Sequence, residues 1–340
     1  MTIQENVPLA PLTTLGVGGA ARFFAVAESV EEVEEALAFA RERSLPLFVL
    51  GEGSNVLIPD EGISGVVLKM AVRGITVEDR GDRAVLVAGA GALWDDVVDA
   101  ASAHHLFGIE NLAGIPGSVA GAAVQNIGAY GAELSRVFDA ADVVDSETGT
   151  RTQIARDAAA FAYRTSFFKQ HPRFCISRVT FALTKDAEPD LSYADVARAR
   201  AAGAPLATPA EIARTIRAIR AKKFPQDEGE GTAGSFFKNP VIPRAHAEAL
   251  AGRFPGLPTF PREDGRAKVS LAWLLDHALS LKGYAEGPVR LYEEQPLVIV
   301  VRSGATAAAV DAFARAVAAR VHDATGIAIE REVETFGVRS

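Results

Sequence analysis

The sequence holds a single cysteine, Cys175, among its 340 residues. An internal disulfide is therefore excluded, and so is any zinc site built from several thiolates. Its surroundings, PRFCISRVTFAL, read as a strand in which a lone thiol serves as a small buried hydrophobe. Positive charge is in the minority, with 35 Lys and Arg against 43 Asp and Glu, so the surface as a whole repels nucleic acid and anionic membranes. Any site for a phosphorylated ligand must then be a local basic pocket. No apolar run reaches the length of a membrane span without polar interruption. The amino terminus, MTIQENVPLAPLTTLG, lacks a basic region followed by an apolar stretch, so no signal peptide is expected and the protein reads as cytoplasmic. Repeats are absent, and so is a GxGxxG fingerprint between strand and helix. His104 and His105 are adjacent and cannot ligate one metal from the same face, so no metal site is expected.

What is present is an ordinary globular mixture, 49% apolar and 23% charged, in a chain long enough for two or three domains. ARFFAVAE reads as a strand, followed by a helix in which Ser29 and Glu32 form a capping box and Val33, Ala36, Leu37 and Ala40 share one face. LPLFVLG is a short apolar strand. GITVEDRGDRAVLVAGAGA predicts a hairpin turning at Arg80 to Arg83, and a helix is expected from Trp94 to about His105. ARARAAGAP reads as a small-residue loop. Thr208, Pro209 and Glu211 mark the start of a basic helix that Pro225 stops, and QDEGEGTAG reads as a loop. KVSLAWLLDHALSLKG predicts a helix closed by Gly283, GATAAAVDAFARAVAARVHDATG another closed by Gly326, and IAIEREVETF a final strand.

Two glycine-rich stretches raise a functional question. In GEGSNVLIPDEG a phosphate-binding type of turn follows a strand, yet no helix comes after it. Backbone N–H groups in such a turn can still converge on an anion, with Gly51 and Gly53 permitting close approach and Ser54 and Asn55 adding donors. The second stretch, GIENLAGIPGSVAGAAVQNIGAYGAEL, is so rich in glycine and alanine that it suits a surface pressed against a large flat ligand. Together they could hold the two halves of a dinucleotide in a cradle other than the Rossmann type.

The motifs LGEGSNVL, IPGSVAGAAVQNIGAYG, YRTSFFK and GTAGSFFKNP resemble those of the UDP-N-acetylenolpyruvoylglucosamine reductases, in one order from about Leu12 to Gly337. The resemblance implies an α+β fold of three domains. Residues 1–70 with 326–340, and residues 71–223, would form an FAD cradle of the vanillyl-alcohol-oxidase type; residues 224–325 would form an α+β substrate-binding domain. It assigns Gly51, Gly53, Ser54, Asn55, Ile115, Pro116, Gly117, Ser118, Gly121, Asn126, Gly128, Ala129 and Tyr130 to non-covalently bound FAD. Tyr163, Tyr193, Lys223, Asn239 and Gln295 would contact the substrate, with Lys223 on the UDP phosphates and Tyr193 on a covering loop found in one branch of the family. Arg164, Ser235 and Glu332 would be catalytic. Arg331 stands where the family usually has proline, which leaves the register of Glu330 against Glu332 open.

The implied reaction passes hydride from NADPH to FAD and on to the methylene carbon of an enolpyruvyl ether attached to a UDP-sugar. Arg164 would pair with the substrate carboxylate as its charge grows, Glu332 would donate a hydrogen bond in its protonated form, and Ser235 would deliver a proton to carbon. A monomer acting on small molecules is expected. Two rival readings remain open on the residues alone: an FAD oxidase or dehydrogenase on the same cradle, and a nucleotide-binding module without activity.

Overall fold

The computed structural model describes residues 1–225, 227 and 229–337. They form two compact units. The first comprises Met1–Val7, Ala21–Glu52 and Ile63–Ala221; the second comprises Pro8–Ala20, Gly53–Gly62 and the chain from Lys222 onward.

In the first unit, three parallel strands lie side by side: Ala20–Ala27, Ile63–Met70 and Leu47–Leu50, with Ile63–Met70 in the middle. That middle strand is apolar on both faces, as a covered parallel strand requires, and Val66, Val67, Leu68 and Met70 are fully buried. Helix Val30–Glu42 packs on it through the predicted face of Val33, Ala36, Leu37 and Ala40. Its capping box is shifted by one residue: Ser29 Oγ accepts from the Glu32 N–H at 3.2 Å, while the Glu32 carboxylate accepts from the Glu28 N–H at 2.7 Å.

A five-stranded antiparallel sheet completes this unit, in the order Arg151–Ala155, Phe138–Asp145, Phe174–Thr184, Arg83–Gly89 and Ile75–Arg80. Cys175 is buried in the central strand, where burial pushes its thiol up to about 12. Trp94 opens helix Trp94–Ala103, meets Phe181 edge to face at 5.7 Å, and donates its indole N–H to the Leu112 carbonyl at 3.0 Å. Helix Val119–Gln125 packs against the central strand, with Val119, Ala120, Ala122 and Ala123 buried. The alanines expected on a ligand-facing surface are thus largely core: small side chains let this helix lie close to the sheet. Helix Pro209–Ala221 starts as predicted, with Thr208 Oγ1 accepting from Glu211 N–H at 3.3 Å and the Glu211 carboxylate accepting from Thr208 N–H at 3.1 Å. It ends at Ala221, so Lys222 and Lys223 lie in the following turn. ARARAAGAP is not a loop throughout, because Ala194–Ala201 is a helix anchored by buried Val196.

The second unit has a four-stranded antiparallel sheet, ordered Gly231–Ser235, Val298–Val301, Val289–Leu291 and Ala285–Glu286. A smaller sheet joins Val241–Pro243, Arg266–Val269 and Thr259–Pro261. Phe236, Phe237, Leu271, Leu274 and Phe313 lie in the core between these sheets and helix Ala307–Thr325, which closes on Gly326 at φ 70°. Three expectations are revised here. The predicted helix KVSLAWLLDHALSLKG begins as a strand, and is helical only over Leu271–Trp273 and a wider π turn, Leu274–Ala278. Of the predicted loop QDEGEGTAG, Gln226 and Glu228 lie outside the described residues, and its end is the strand Gly231–Ser235. The final strand is reduced to Glu334–Thr335, paired in parallel with Val56–Leu57, and an isolated bridge between Arg331 and Phe237.

The start of helix Ala307–Thr325 is held by Thr306 Oγ1, accepting from Ala309 N–H at 3.1 Å, and by the Asp60 carboxylate, accepting from Ala307 and Ala308 at 2.8 and 2.9 Å. Asp60→Ala removes both of the latter bonds and a favourable charge at the helix start. It should destabilise the protein by about 1 kcal/mol in denaturant titration, the scale of a lost helix cap.

Candidate active site

In the first unit the strand Leu47–Leu50 runs into Gly51 and Glu52. Lys69 Nζ donates to the Gly51 carbonyl at 2.6 Å and pairs with Glu52 at 2.8 Å, fixing the turn from within the neighbouring strand. A Cβ on Gly51 would lie 2.7 Å from Ser118 Oγ, so only glycine lets these two segments approach as they do. Ser118 Oγ also caps helix Val119–Gln125 by accepting from Gly121 N–H at 3.3 Å. Ahead of it, Gly117 adopts φ 132° and its carbonyl accepts from Trp94 N–H at 3.0 Å. Pro116 and Gly121 are exposed and Ile115 is half-buried, so this run offers backbone and small groups to solvent.

Asn126 ends that helix in the left-handed region, with Nδ2 donating to the Ala162 carbonyl at 3.0 Å and Oδ1 accepting from Ser135 N–H at 3.1 Å. Gly128–Ala129 and Ala132–Glu133 then form a hairpin whose two turn residues, Tyr130 and Gly131, both have positive φ. Such turns favour Asn or Gly, so an aromatic residue at the first position carries backbone strain. Burial pushes the Tyr130 phenol up to about 12, with the Arg220 guanidinium opposing the shift, so it remains a neutral donor across the physiological range. Tyr193 is exposed and meets the Tyr130 ring edge to face at 5.2 Å.

Tyr163 and Arg164 form the turn between the bridged residues Ala162 and Thr165. Arg164 has φ 56° and donates to the Gly128 and Asn126 carbonyls at 2.7 and 3.4 Å, which sets the direction of its guanidinium. Two residues not singled out from the sequence support it. Ser166 is fully buried and donates to the Val124 carbonyl at 2.7 Å; Lys169 Nζ donates to Gln125 Oε1 at 2.8 Å and to the Arg164 carbonyl at 3.2 Å. Both lie in the quoted YRTSFFK motif, which was their available signal, as Lys69 was signalled by standing in an apolar strand.

In the second unit Gly53 adopts φ 64°, and its carbonyl accepts from Thr14 N–H at 3.2 Å. Asn55 Nδ2 donates to the Glu332 carbonyl at 3.2 Å, and the Asn55 carbonyl accepts from Glu334 N–H at 3.1 Å. Glu332 N–H in turn donates to the Phe236 carbonyl at 2.8 Å. Ser235 precedes Phe236 at the end of a strand whose register against Val298–Val301 breaks between Thr232 and Ser235, with Gly234 at φ 76°. The break is a bulge, a device that re-aims a side chain. The bond from Glu332 N–H to the Phe236 carbonyl sets the segment carrying Glu332 beside the end of the strand that carries Ser235. Glu330 is instead exposed and pairs with Lys238 at 3.0 Å, while Arg331 pairs with Asp311 at 2.6 Å. Asn239 Oδ1 accepts from Leu271 N–H at 3.0 Å, leaving its amide nitrogen as the end that could meet a ligand. Gln295 is half-buried, and its main-chain carbonyl accepts from Val298 N–H at 2.9 Å.

Among the described residues no group of three or more His, Cys, Asp and Glu could hold a metal ion, and no helix is long and apolar enough to cross a membrane. Residues 21–155 match the family described as FAD binding domain, and residues 225–336 match the C-terminal domain of UDP-N-acetylenolpyruvoylglucosamine reductase. Reductases of that name are similar over nearly the whole chain. The one from Pseudomonas aeruginosa is 42% identical over 339 residues, covering 99% of both chains. The one from Burkholderia multivorans is 41% identical, covering 98% of this chain and 96% of the relative. The crystal structure of the Thermus caldophilus reductase is similar with a TM-score of 0.68 at 28% identity, covering 98% of this chain and 99% of that one. The α+β fold with an FAD-binding domain is the one expected from the sequence, and at this identity and coverage the chain belongs to the UDP-N-acetylenolpyruvoylglucosamine reductase family.

Proposed function

We propose that this protein reduces the enolpyruvyl ether of UDP-N-acetylglucosamine to UDP-N-acetylmuramate, with Ser235 as proton donor and Arg164 and Glu332 meeting the charge that develops. As a member of its family it is an FAD-dependent oxidoreductase of peptidoglycan synthesis with NADPH as co-substrate. The observation that carries the reading is the main-chain bond from Glu332 N–H to the Phe236 carbonyl, which sets the segment bearing Glu332 beside the bulged end of strand Gly231–Ser235.

The residues fit FAD. Gly51 accepts no side chain against Ser118, Gly121 and Pro116 are exposed, and the donors in these segments are hydroxyl, amide and main-chain N–H groups suited to phosphate and ring edges. Gly51, Gly53, Ser54, Asn55, Ile115 to Ser118, Gly121, Asn126 and Gly128 to Tyr130 would hold it without a covalent link. When bound and reduced by NADPH, FAD would supply the hydride that the substrate methylene receives.

The chain's own groups do the rest. Arg164 is preorganised by main-chain carbonyls, so pairing with a carboxylate needs little reorganisation as negative charge spreads into it. Glu332 would donate a hydrogen bond to the same charge from its carboxyl group. Ser235 is a weak acid, but an enolate carbon is a strong base, and the hydroxyl delivers its proton there. Lys223 neutralises the UDP phosphates, Tyr193 covers the substrate, and Tyr163, Asn239 and Gln295 orient it. In functional terms residues 1–70 with 326–340, and 71–223, serve the cofactor, and residues 224–325 serve the substrate. The protein works as a cytoplasmic monomer, without nucleic acid or membrane.

Ser235→Ala should leave flavin reduction by NADPH intact while turnover on the enolpyruvyl nucleotide falls by about 100- to 10,000-fold in stopped-flow and steady-state assays. Equal damage to both half-reactions would remove Ser235 from its role. Glu332→Gln should lower kcat more than it raises KM, because its interaction strengthens as charge develops. Gly51→Ala forces its new methyl against Ser118 Oγ, and flavin fluorescence titration should show FAD affinity weakened by about tenfold or more, the effect of about 1.4 kcal/mol.

A further inference from the structure

Asn111 sits in the short helical turn Glu110–Leu112 and is 3% exposed. Its Nδ2 donates to two carbonyl oxygens, of Tyr130 at 2.9 Å and of Asp190 at 2.8 Å. Both partners are pure acceptors, so the amide end facing them is fixed by chemistry. The two carbonyls belong to different segments. Tyr130 is at the tip of the hairpin assigned to the cofactor, and Asp190 opens the segment that carries Tyr193.

Further contacts press the same two segments together. The Tyr193 ring stands on the Tyr130 ring at 5.2 Å with an interplanar angle of 80°. The Asp190 carboxylate lies where a side chain on Gly131 would be, with Oδ2 2.8 Å from an ideal Cβ. The carboxylate's other oxygen accepts from Ser192 N–H and Oγ at 3.0 and 2.6 Å, which stiffens the approach to Tyr193.

We infer that Asn111 is a positioning residue for Tyr193: one buried amide nitrogen clamps the segment bearing Tyr193 onto the Tyr130 turn. The inference deepens the proposed function and rests on Tyr193 covering the substrate. The effect of Asn111 comes from holding in register a segment whose ring is exposed, on the amino-terminal side of the anchors that Leu191 and buried Val196 provide. Without the amide, two carbonyls lose their donor together and the segment loses its polar attachment to the Tyr130 turn.

The test compares Asn111→Leu, Tyr193→Ala and the double variant as FAD-loaded enzymes. Asn111→Leu, which keeps the branching at Cγ but has no polar atom, should raise KM for the enolpyruvyl nucleotide about tenfold, the scale of one or two lost hydrogen bonds. Amides of residues 187–193 should exchange faster, while FAD content and the rate of flavin reduction by NADPH stay at wild-type levels. The double variant should be no worse than Tyr193→Ala, because both act through one segment. Asn111→Asp, which keeps the shape but turns the donor into an acceptor, should give the same pattern and serves if the leucine variant does not fold. A wild-type KM and exchange rate in these variants, loss of FAD, or effects that multiply in the double variant would overturn the clamp. If Tyr193→Ala leaves KM unchanged while Asn111→Leu still accelerates exchange in residues 187–193, the clamp stands and the covering role of Tyr193 falls.

Discussion

One main-chain hydrogen bond, from Glu332 N–H to the Phe236 carbonyl, joins the last segment of the chain to the strand that ends in Ser235. Asn55 grips the other side of the same residue through the Glu332 carbonyl, and Thr14 accepts from Thr232 N–H further along the strand at 2.9 Å. Segments from the beginning, the early middle and the end of the sequence are thus laced through backbone groups. Backbone lacing tolerates change in side chains. Arg331 stands where the family usually has proline, yet its ion pair with Asp311 and the bridge to Phe237 hold the segment, and Glu330 is drawn away to Lys238. Both glutamates are bonded through their backbones to the segment after Ser235, Glu332 to Phe236 and Glu330 to Lys238.

The amino-terminal unit solves a related problem at some cost in strain. Asn126, Tyr130 and Arg164 all adopt positive φ without being glycine, within one group of turns. Such conformations cost about 1–3 kcal/mol each and persist where surrounding bonds over-determine them. Here the bonds run from Asn126 to Ala162, from Asn111 to Tyr130, and from Lys169 to Arg164. Cations also brace the two glycine-rich stretches. Lys69 holds the Gly51 turn, and Arg220 donates to the Gly114 carbonyl at 2.9 Å at the edge of the second glycine-rich stretch.

Elements with a clear apolar period were legible from the sequence. Helix Val30–Glu42, the hairpin Ile75–Gly89 and helix Ala307–Thr325 with its Gly326 cap lie where periodicity and capping put them. Strand Gly231–Ser235 was not legible, because GTAGS has no alternating apolar residues and its partner lies far along the chain. Helix Ala194–Ala201 was hidden by its composition, since a single buried valine gives no period. The grouping of residues 8–20 and 53–62 with the carboxy-terminal part arises from pairings between distant segments, to which local pattern is blind. Motif resemblance supplied the candidate site residues, but not Lys69, Asn111, Ser166 or Lys169. Each of these acts through one side chain on one or two polar partners; the YRTSFFK motif and an apolar strand flagged Ser166, Lys169 and Lys69, but the partners lie far along the chain and leave no local pattern.

The central claim is that Ser235 and Glu332 act as a unit on one charged intermediate. It is tested most directly by a double-mutant cycle, measuring the anaerobic rate at which the enolpyruvyl nucleotide reoxidises NADPH-reduced enzyme for wild type, Ser235→Ala, Glu332→Gln and the pair. The account predicts that the double variant loses little more than the worse single variant. Losses that multiply would mean the two residues act independently, and would contradict it.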